Sequence, residues 1–152
     1  MNEVFWSEGP TLFDVNFKKL RARMETYRSI VSVLQTSLSP SLLKKEYLDE
    51  NAKNPMFGHC YVASEAIFHL LPKCKLQPYY GKDKRNITHW WLVDERHDIR
   101  IDATADQYYS QGLEPPYEAG VRASFLTNDP SKRCRKVMQH VLEWKGYQYA
   151  SV

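Results

Sequence analysis

An α+β fold is what this sequence predicts, on three observations. Apolar residues recur at helical spacing near both ends of the chain, over 11–35 and again from 130 onward. β-prone runs crowd the middle, between 76 and 103, and the last two of them are joined by a short polar loop that makes them antiparallel neighbours. Between these parts lies a further apolar helical run headed by a cysteine. Helices, a cysteine helix, a small antiparallel sheet and a closing helix make an α+β layout.

The first helix is expected over Thr11 to about Gln35, where Leu12, Phe13, Phe17, Leu20, Met24, Tyr27, Ile30, Val31 and Leu34 recur at three- and four-residue steps. Its other face is basic, with Lys18, Lys19, Arg21, Arg23 and Arg28 diluted by Asp14 and Glu25, and reads as solvated surface. Ser39 is expected to cap a short helix that starts at Pro40 and runs through Leu43 and Tyr47. The polar run Asp49–Pro55 reads as a loop, since Asn54 stands before proline and is pushed out of the helical region. Next comes Gly58-His59-Cys60, followed by Ala63, Ala66, Ile67, Leu70 and Leu71 on one helical face. Leu76–Gly81 is expected as a first strand, Pro78 marking an edge or a start. Ile87–Val93 and Asp98–Ala103 form a hairpin around Asp94–His97. Thr104–Ser110 opens another helix, and Gly112–Tyr117 is a loop. The last helix starts at Pro130-Ser131, capped by Asp129, with Gly146 beyond its end.

At 152 residues the chain is expected to form a single domain over 1–152, with an N-terminal helical part (1–50), a core (51–110) and a loop with a closing helix (111–152). Such a chain buries roughly 70% of its unfolded surface without a staple. A hydrophobic fraction of 43%, with ten tyrosines, six phenylalanines and four tryptophans, argues for a packed globule. The net charge of +3 does not demand a nucleic-acid partner, no run reaches the length of a membrane span, and the N-terminus lacks the features of a signal peptide. Three cysteines far apart, Cys60, Cys74 and Cys134, suggest no disulfide framework and fit a reducing, cytosolic compartment.

Chemistry is carried by three residues. A cysteine in the first turn of a helix meets unpaired N–H groups and the positive end of the helix dipole, which favour thiolate over thiol. His89 lies on the first strand of the hairpin and Asp102 near the corresponding end of the second, so their side chains meet if both face one side of the sheet. Cys60 as nucleophile, His89 as base and later acid, and Asp102 as the group that orients the imidazole form the order of roles that thiol catalysis needs. Alone, a cysteine at a helix start is a small hydrophobe and a strand histidine beside tryptophan is structural. An acyl-transfer site also needs donors for the oxyanion. The Cys60 N–H, the Asn54 amide and His59 are candidates, and Gln107 is placed to orient substrate or triad. The spacing of His59, Cys60, His69 and Cys74 matches no zinc pattern, and no phosphate loop or dinucleotide fingerprint is present, so neither metal nor cofactor is expected.

Gly58-His59-Cys60-x-x-Ala63-Ser64, His89-Trp90-Trp91-Leu92 and Ile101-Asp102-Ala103-Thr104-Ala105-Asp106-Gln107-Tyr108 together resemble the small YunG-like proteins, over roughly 54–108 and part of 125–140. More distantly the trio resembles the papain-like and transglutaminase-like Cys-His-Asp enzymes. The resemblance implies a nucleophile helix packed on a small antiparallel sheet, with N- and C-terminal helices added. It also implies Cys60, His89 and Asp102 as triad and Gln107 as a glutamine typical of the smaller group. His59 departs from the glutamine usual before the cysteine. The implied activity is attack on an amide or ester bond by a hydrolase, deamidase or acyltransferase, with a peptide, protein or small-molecule substrate. A second reading is a non-catalytic binding or inhibitor module on the same fold, prompted by the long first helix outside the matched core. A third is nucleic-acid binding through the basic stretches at 18–23 and 132–136.

Overall fold

The computed structural model describes residues 2–3 and 14–144. Its elements are β1 (Asn2–Glu3), α1 (Asp14–Gln35), α2 (Leu48–Lys53), α3 (Cys60–Leu70), β2 (Gln77–Lys82), β3 (Thr88–Asp94), β4 (Ile99–Ile101), α4 (Asp106–Tyr109), β5 (Val121–Arg122) and α5 (Lys132–Glu143). The sheet runs β1-β4-β3-β2-β5. Four of its strands are antiparallel, and β1 adds to β4 in parallel. The fold is therefore α+β. Thr11, Leu12, Phe13 and Gly146, which the sequence places at helix ends, lie outside the described residues.

The core lies between the helices and one face of the sheet. Met24, Tyr27, Ile30 and Leu34 from α1 pack with Val62, Ala63, Ala66 and Ile67 from α3, Val137 and Val141 from α5, and Leu92, Ile99 and Ile101 from the strands. From Met24 to Leu34 the apolar stripe of α1 is thus occupied internally. Arg23, expected on the basic face, is instead drawn inward: its guanidinium lies 3.6 Å from the buried Asp94 carboxylate, which also accepts from Tyr27 OH at 2.6 Å. Among the described residues no helix is long and apolar enough to cross a membrane.

Three expectations need correction. The polar run after Tyr47 is a helix, α2: Asp49 and Glu50 sit in its first turn and Lys53 in its last, so the charges complement the helix dipole that a reading of polarity alone ignores. The segment before it holds two short 3₁₀ turns, Pro40–Leu42 and Lys45–Tyr47, and Ser39 makes no side-chain cap; its hydroxyl pairs with Ser41. On α5 the cap is Ser131, whose Oγ accepts from Cys134 N–H at 3.2 Å, and not Asp129. The strand β5 had no alternating apolar pattern to announce it.

Two glycine positions shape the site. Gly58 has φ of 86°, a left-handed turn that aims the chain into α3, and an added Cβ would stand 2.9 Å from Leu43 Cδ2. Across the sheet a Cβ on Gly120 would stand 2.5 Å from Trp91 Cζ2. That close approach lets the 3₁₀ turn Tyr117–Ala119 lie flat on β2 and β3.

Candidate active site

The site forms where α3, β3 and the end of β4 converge. Asn54, at the C-cap of α2, is extended by the following proline, and Asn51 reaches forward with its amide to the Pro55 and Phe57 carbonyls, both at 2.9 Å. This brace and the Gly58 turn deliver Cys60 as the first residue of α3. The first intrahelical bond runs from Ala63 N–H to His59 O, so the N–H groups of Cys60, Tyr61 and Val62 have no acceptor within the helix. Cys60 is 8% exposed, and its thiol points to the Thr88 carbonyl at 3.8 Å.

Alternation along β3 decides where its side chains go. Trp90 and Leu92 face the helices, Trp90 meeting Tyr61 edge-on at 5.0 Å. His89 and Trp91 take the other face, stacked on each other at 5.8 Å, with Tyr108 edge-on to His89 at 5.0 Å. The imidazole is fully buried, and its Nε2 lies 2.7 Å from Asp102 Oδ2. The hairpin register pairs Leu92 with Ile101, which sets Asp102 just past β4 and on the His89 side. Asp102 is itself fixed: Thr104 N–H donates to Oδ1 at 3.1 Å and Tyr117 OH to Oδ2 at 2.8 Å. Burial pulls the imidazole pKa down, but the Asp102 charge and hydrogen bond, with help from the Cys60 sulfur, outweigh it and push His89 up to about 10. The shift favours the charged ring, and Nδ1, buried and without a hydrogen-bond partner, is the nitrogen left for Cys60.

Of the three oxyanion or substrate candidates, only one faces the cleft. Asn54 commits its amide to the Gln107 backbone carbonyl at 2.7 Å, tying α2 to α4, and does not line the cavity beside Cys60. His59 is wholly buried with both ring nitrogens unpartnered; burial and the nearby Arg133 push it down to about 4, which favours the neutral ring, and it is not among the residues that line the cleft. Gln107 does line the cavity, although it is only 3% exposed, and its Oε1 is buried without a partner.

The cavity measures about 620 Å³ and is walled by Tyr47, Cys60, Tyr61, Trp90, Gln107 and Arg133 among others. A larger hollow of about 930 Å³ lies on the Asp102 side, against Tyr108 and Tyr117, and none of the three cysteines lines it. Tyr117 was invisible to sequence reasoning because it sits in the Pro115-Pro116-Tyr117 loop, where no periodicity marks a side chain as inward. Its ring is clamped between the Arg100 guanidinium, 3.6 Å from the centroid, and the Trp91 ring at 5.1 Å. Among the described residues no group of three or more His, Cys, Asp or Glu side chains is placed to hold a metal ion. No family model, no curated protein and no solved structure matches the chain.

Proposed function

We propose that this chain is a thiol enzyme that transfers the acyl group of an amide or ester through a thioester on Cys60. One observation carries the reading: a fully buried His89 with Asp102 hydrogen-bonded to one ring nitrogen, the other ring nitrogen open, and a helix-start cysteine at the same site. Sγ attacks the carbonyl carbon, and the Cys60 proton, held on His89 Nδ1, passes to the departing nitrogen or oxygen. Water or an amine then attacks the thioester while His89 takes back a proton. The oxyanion is met by the first-turn N–H groups of α3, which have no acceptor within the helix. The cysteine helix packed on an antiparallel sheet, with histidine on one strand and aspartate just past the end of the next, supports kinship with the YunG-like group and the papain-like and transglutaminase-like enzymes.

The direct test is acylation. Incubation with p-nitrophenyl acetate is expected to add one acetyl group to Cys60, found by peptide mass spectrometry, and the Cys60→Ala protein, folded as judged by its circular dichroism, is expected to take up none there. Acetylation spread evenly over lysines with none on Cys60 would sink the reading.

Tyr117 acts on the triad from behind as a positioning residue. Burial and Asp102 hold its phenol far above the ordinary range, so it remains a donor to the oxygen that His89 also uses. In Tyr117→Phe that oxygen serves His89 alone, the imidazolium is held more tightly, and proton delivery to the leaving group slows. Turnover is expected to fall on the order of tenfold, the worth of one hydrogen bond to a charged group. The NMR titration of the His89 ring should move to higher pH; an unmoved titration would show that Tyr117 is packing alone.

A further inference from the structure

We propose that the substrate of this cleft carries an anionic oxygen group, a carboxylate or a phosphate, which Arg133 binds while the acyl carbon sits at Cys60; the inference rests on the acyl-transfer reading of that site. Arg133 lines the same cavity as Cys60, Tyr61 and Trp90. It is half-buried, and its Nη1 donates to the Leu42 carbonyl at 2.9 Å, which fixes the guanidinium without neutralising it. Among the described residues no carboxylate is paired with it.

The remaining charges of the cavity do not substitute for that missing partner. Glu50 is engaged by Arg85 at 2.8 Å. Lys44 and Glu46 are exposed on the rim with opposite signs, where solvent and salt screen them. Arg133 is therefore the embedded cation of the cleft. Its charge is felt nearby: it helps to hold the buried His59 neutral. Helix stability does not explain its position either, because Arg133 is in the first turn of α5, where the dipole disfavours a cation and favours an anion beside it.

A second, independent feature marks the cavity as a ligand site. Gln107 is nearly fully buried there, and its side-chain oxygen Oε1 accepts no hydrogen bond from the described residues. A buried acceptor without a partner is costly, and a ligand N–H or O–H, set apart from the anionic group, is the donor this oxygen lacks. A guanidinium with free N–H groups is suited to two oxygens of a carboxylate or phosphate. Tyr61 and Trp90, in edge contact, offer apolar surface to the chain between that group and the reacting carbonyl.

The experiment compares three iodoacetyl amides as labels for Cys60: those of glycine, phosphoethanolamine and ethanolamine, which carry a carboxylate, a phosphate and no charge. At low ionic strength one or both anionic reagents are expected to label Cys60 at least tenfold faster than the neutral one, and the faster of the two identifies the group. In Arg133→Gln the ratio is expected to fall close to one, while Arg133→Lys retains part of it. Equal rates for all three reagents in the wild type, or an Arg133→Gln ratio unchanged in a folded protein, would overturn the proposal and leave the thiol chemistry standing. Binding of N-acetylglycine and of phosphoethanolamine to the Cys60→Ala protein, followed by calorimetry with and without Arg133→Gln, separates the two readings. Binding that depends on Arg133, in a protein whose Cys60 resists every label, would keep the anion site and remove the enzyme; no binding of either anion would remove the site.

Discussion

Replacing His89 by alanine is expected to slow acyl transfer through Cys60 at pH 7 by about 10²–10⁴-fold, the range that a positioned general acid–base supplies. The wild-type imidazole carries its proton at neutral pH because Asp102, 2.7 Å away, outweighs the burial that would strip it. On the acyl-transfer proposal that proton serves twice, as the partner of the Cys60 sulfur before attack and as the proton given to the leaving group afterward. Alanine removes both, and no second imidazole replaces it, since His59 is neutral, buried and outside the cavity lining. Iodoacetamide at pH 6 should label Cys60 of the wild type well ahead of Cys74 and Cys134, both deeply buried, and Cys134 is in addition pushed up to about 12 by burial and by Glu65. In His89→Ala the lead of Cys60 should disappear. A variant that labels at the wild-type rate would show that the histidine is structural.

The same substitution has a pH signature. His89 titrates near 10 in the folded protein against about 6.5 in an unfolded chain. The folded state therefore holds this proton more tightly, and the stabilisation is fully present below about pH 6.5 and fades as pH rises through about 10. Thermal unfolding across that window should show the wild type losing its advantage over His89→Ala as alkali is added. Leaving-group protonation is lost over the same upper limb, so amide turnover should decline as pH rises toward 10 and beyond.

Much of this architecture is legible in the residues because it rests on local rules. The apolar stripes of α1, α3 and α5 are periodic, and the β3–β4 hairpin announces itself by β-branched and aromatic runs around a polar turn. The meeting of His89 with Asp102 follows from strand alternation once the hairpin is granted. What could not be read depends on contacts between distant segments. The alternative partners of a polar side chain are invisible in one dimension: Asn54 reads as a free amide near the nucleophile, yet it bonds Gln107 on another element. Tyr117 and β5 belong to a stretch whose conformation is set by Trp91 lying against Gly81 and Gly120, a packing fact with no sequence period. Arg133 reads as one cation of a basic run and becomes distinctive only because its neighbours Lys132, Arg135 and Lys136 point outward while it turns toward the cleft.

Glu65→Ala is expected to cost the fold about 3 kcal/mol, read as a lowered urea midpoint at unchanged m-value. A glutamate is almost never fully buried unless its charge is met, and Glu65, in the middle of α3, is completely enclosed. One carboxylate oxygen accepts from Ser131 Oγ at 2.6 Å and the other from Ser131 N–H at 3.0 Å. Ser131 Oγ in turn accepts from Cys134 N–H, so the start of α5 is capped through a relay whose final acceptor lies on α3. Alanine leaves two donors without an acceptor and a void between α3 and α5. Glutamine fills the void but offers one acceptor where two donors converge, so its loss should be intermediate. Because α3 begins with Cys60 and α5 with the turn that carries Arg133, this buried carboxylate also fixes the two sides of the cleft relative to each other. Loosening it should speed labelling of Cys134, whose thiol loses the neighbouring charge that holds it protonated, in parallel with the fall in stability. If Glu65→Ala unfolds at the wild-type urea concentration and Cys134 stays equally protected, the relay is incidental and the α3–α5 junction is held by its apolar contacts alone.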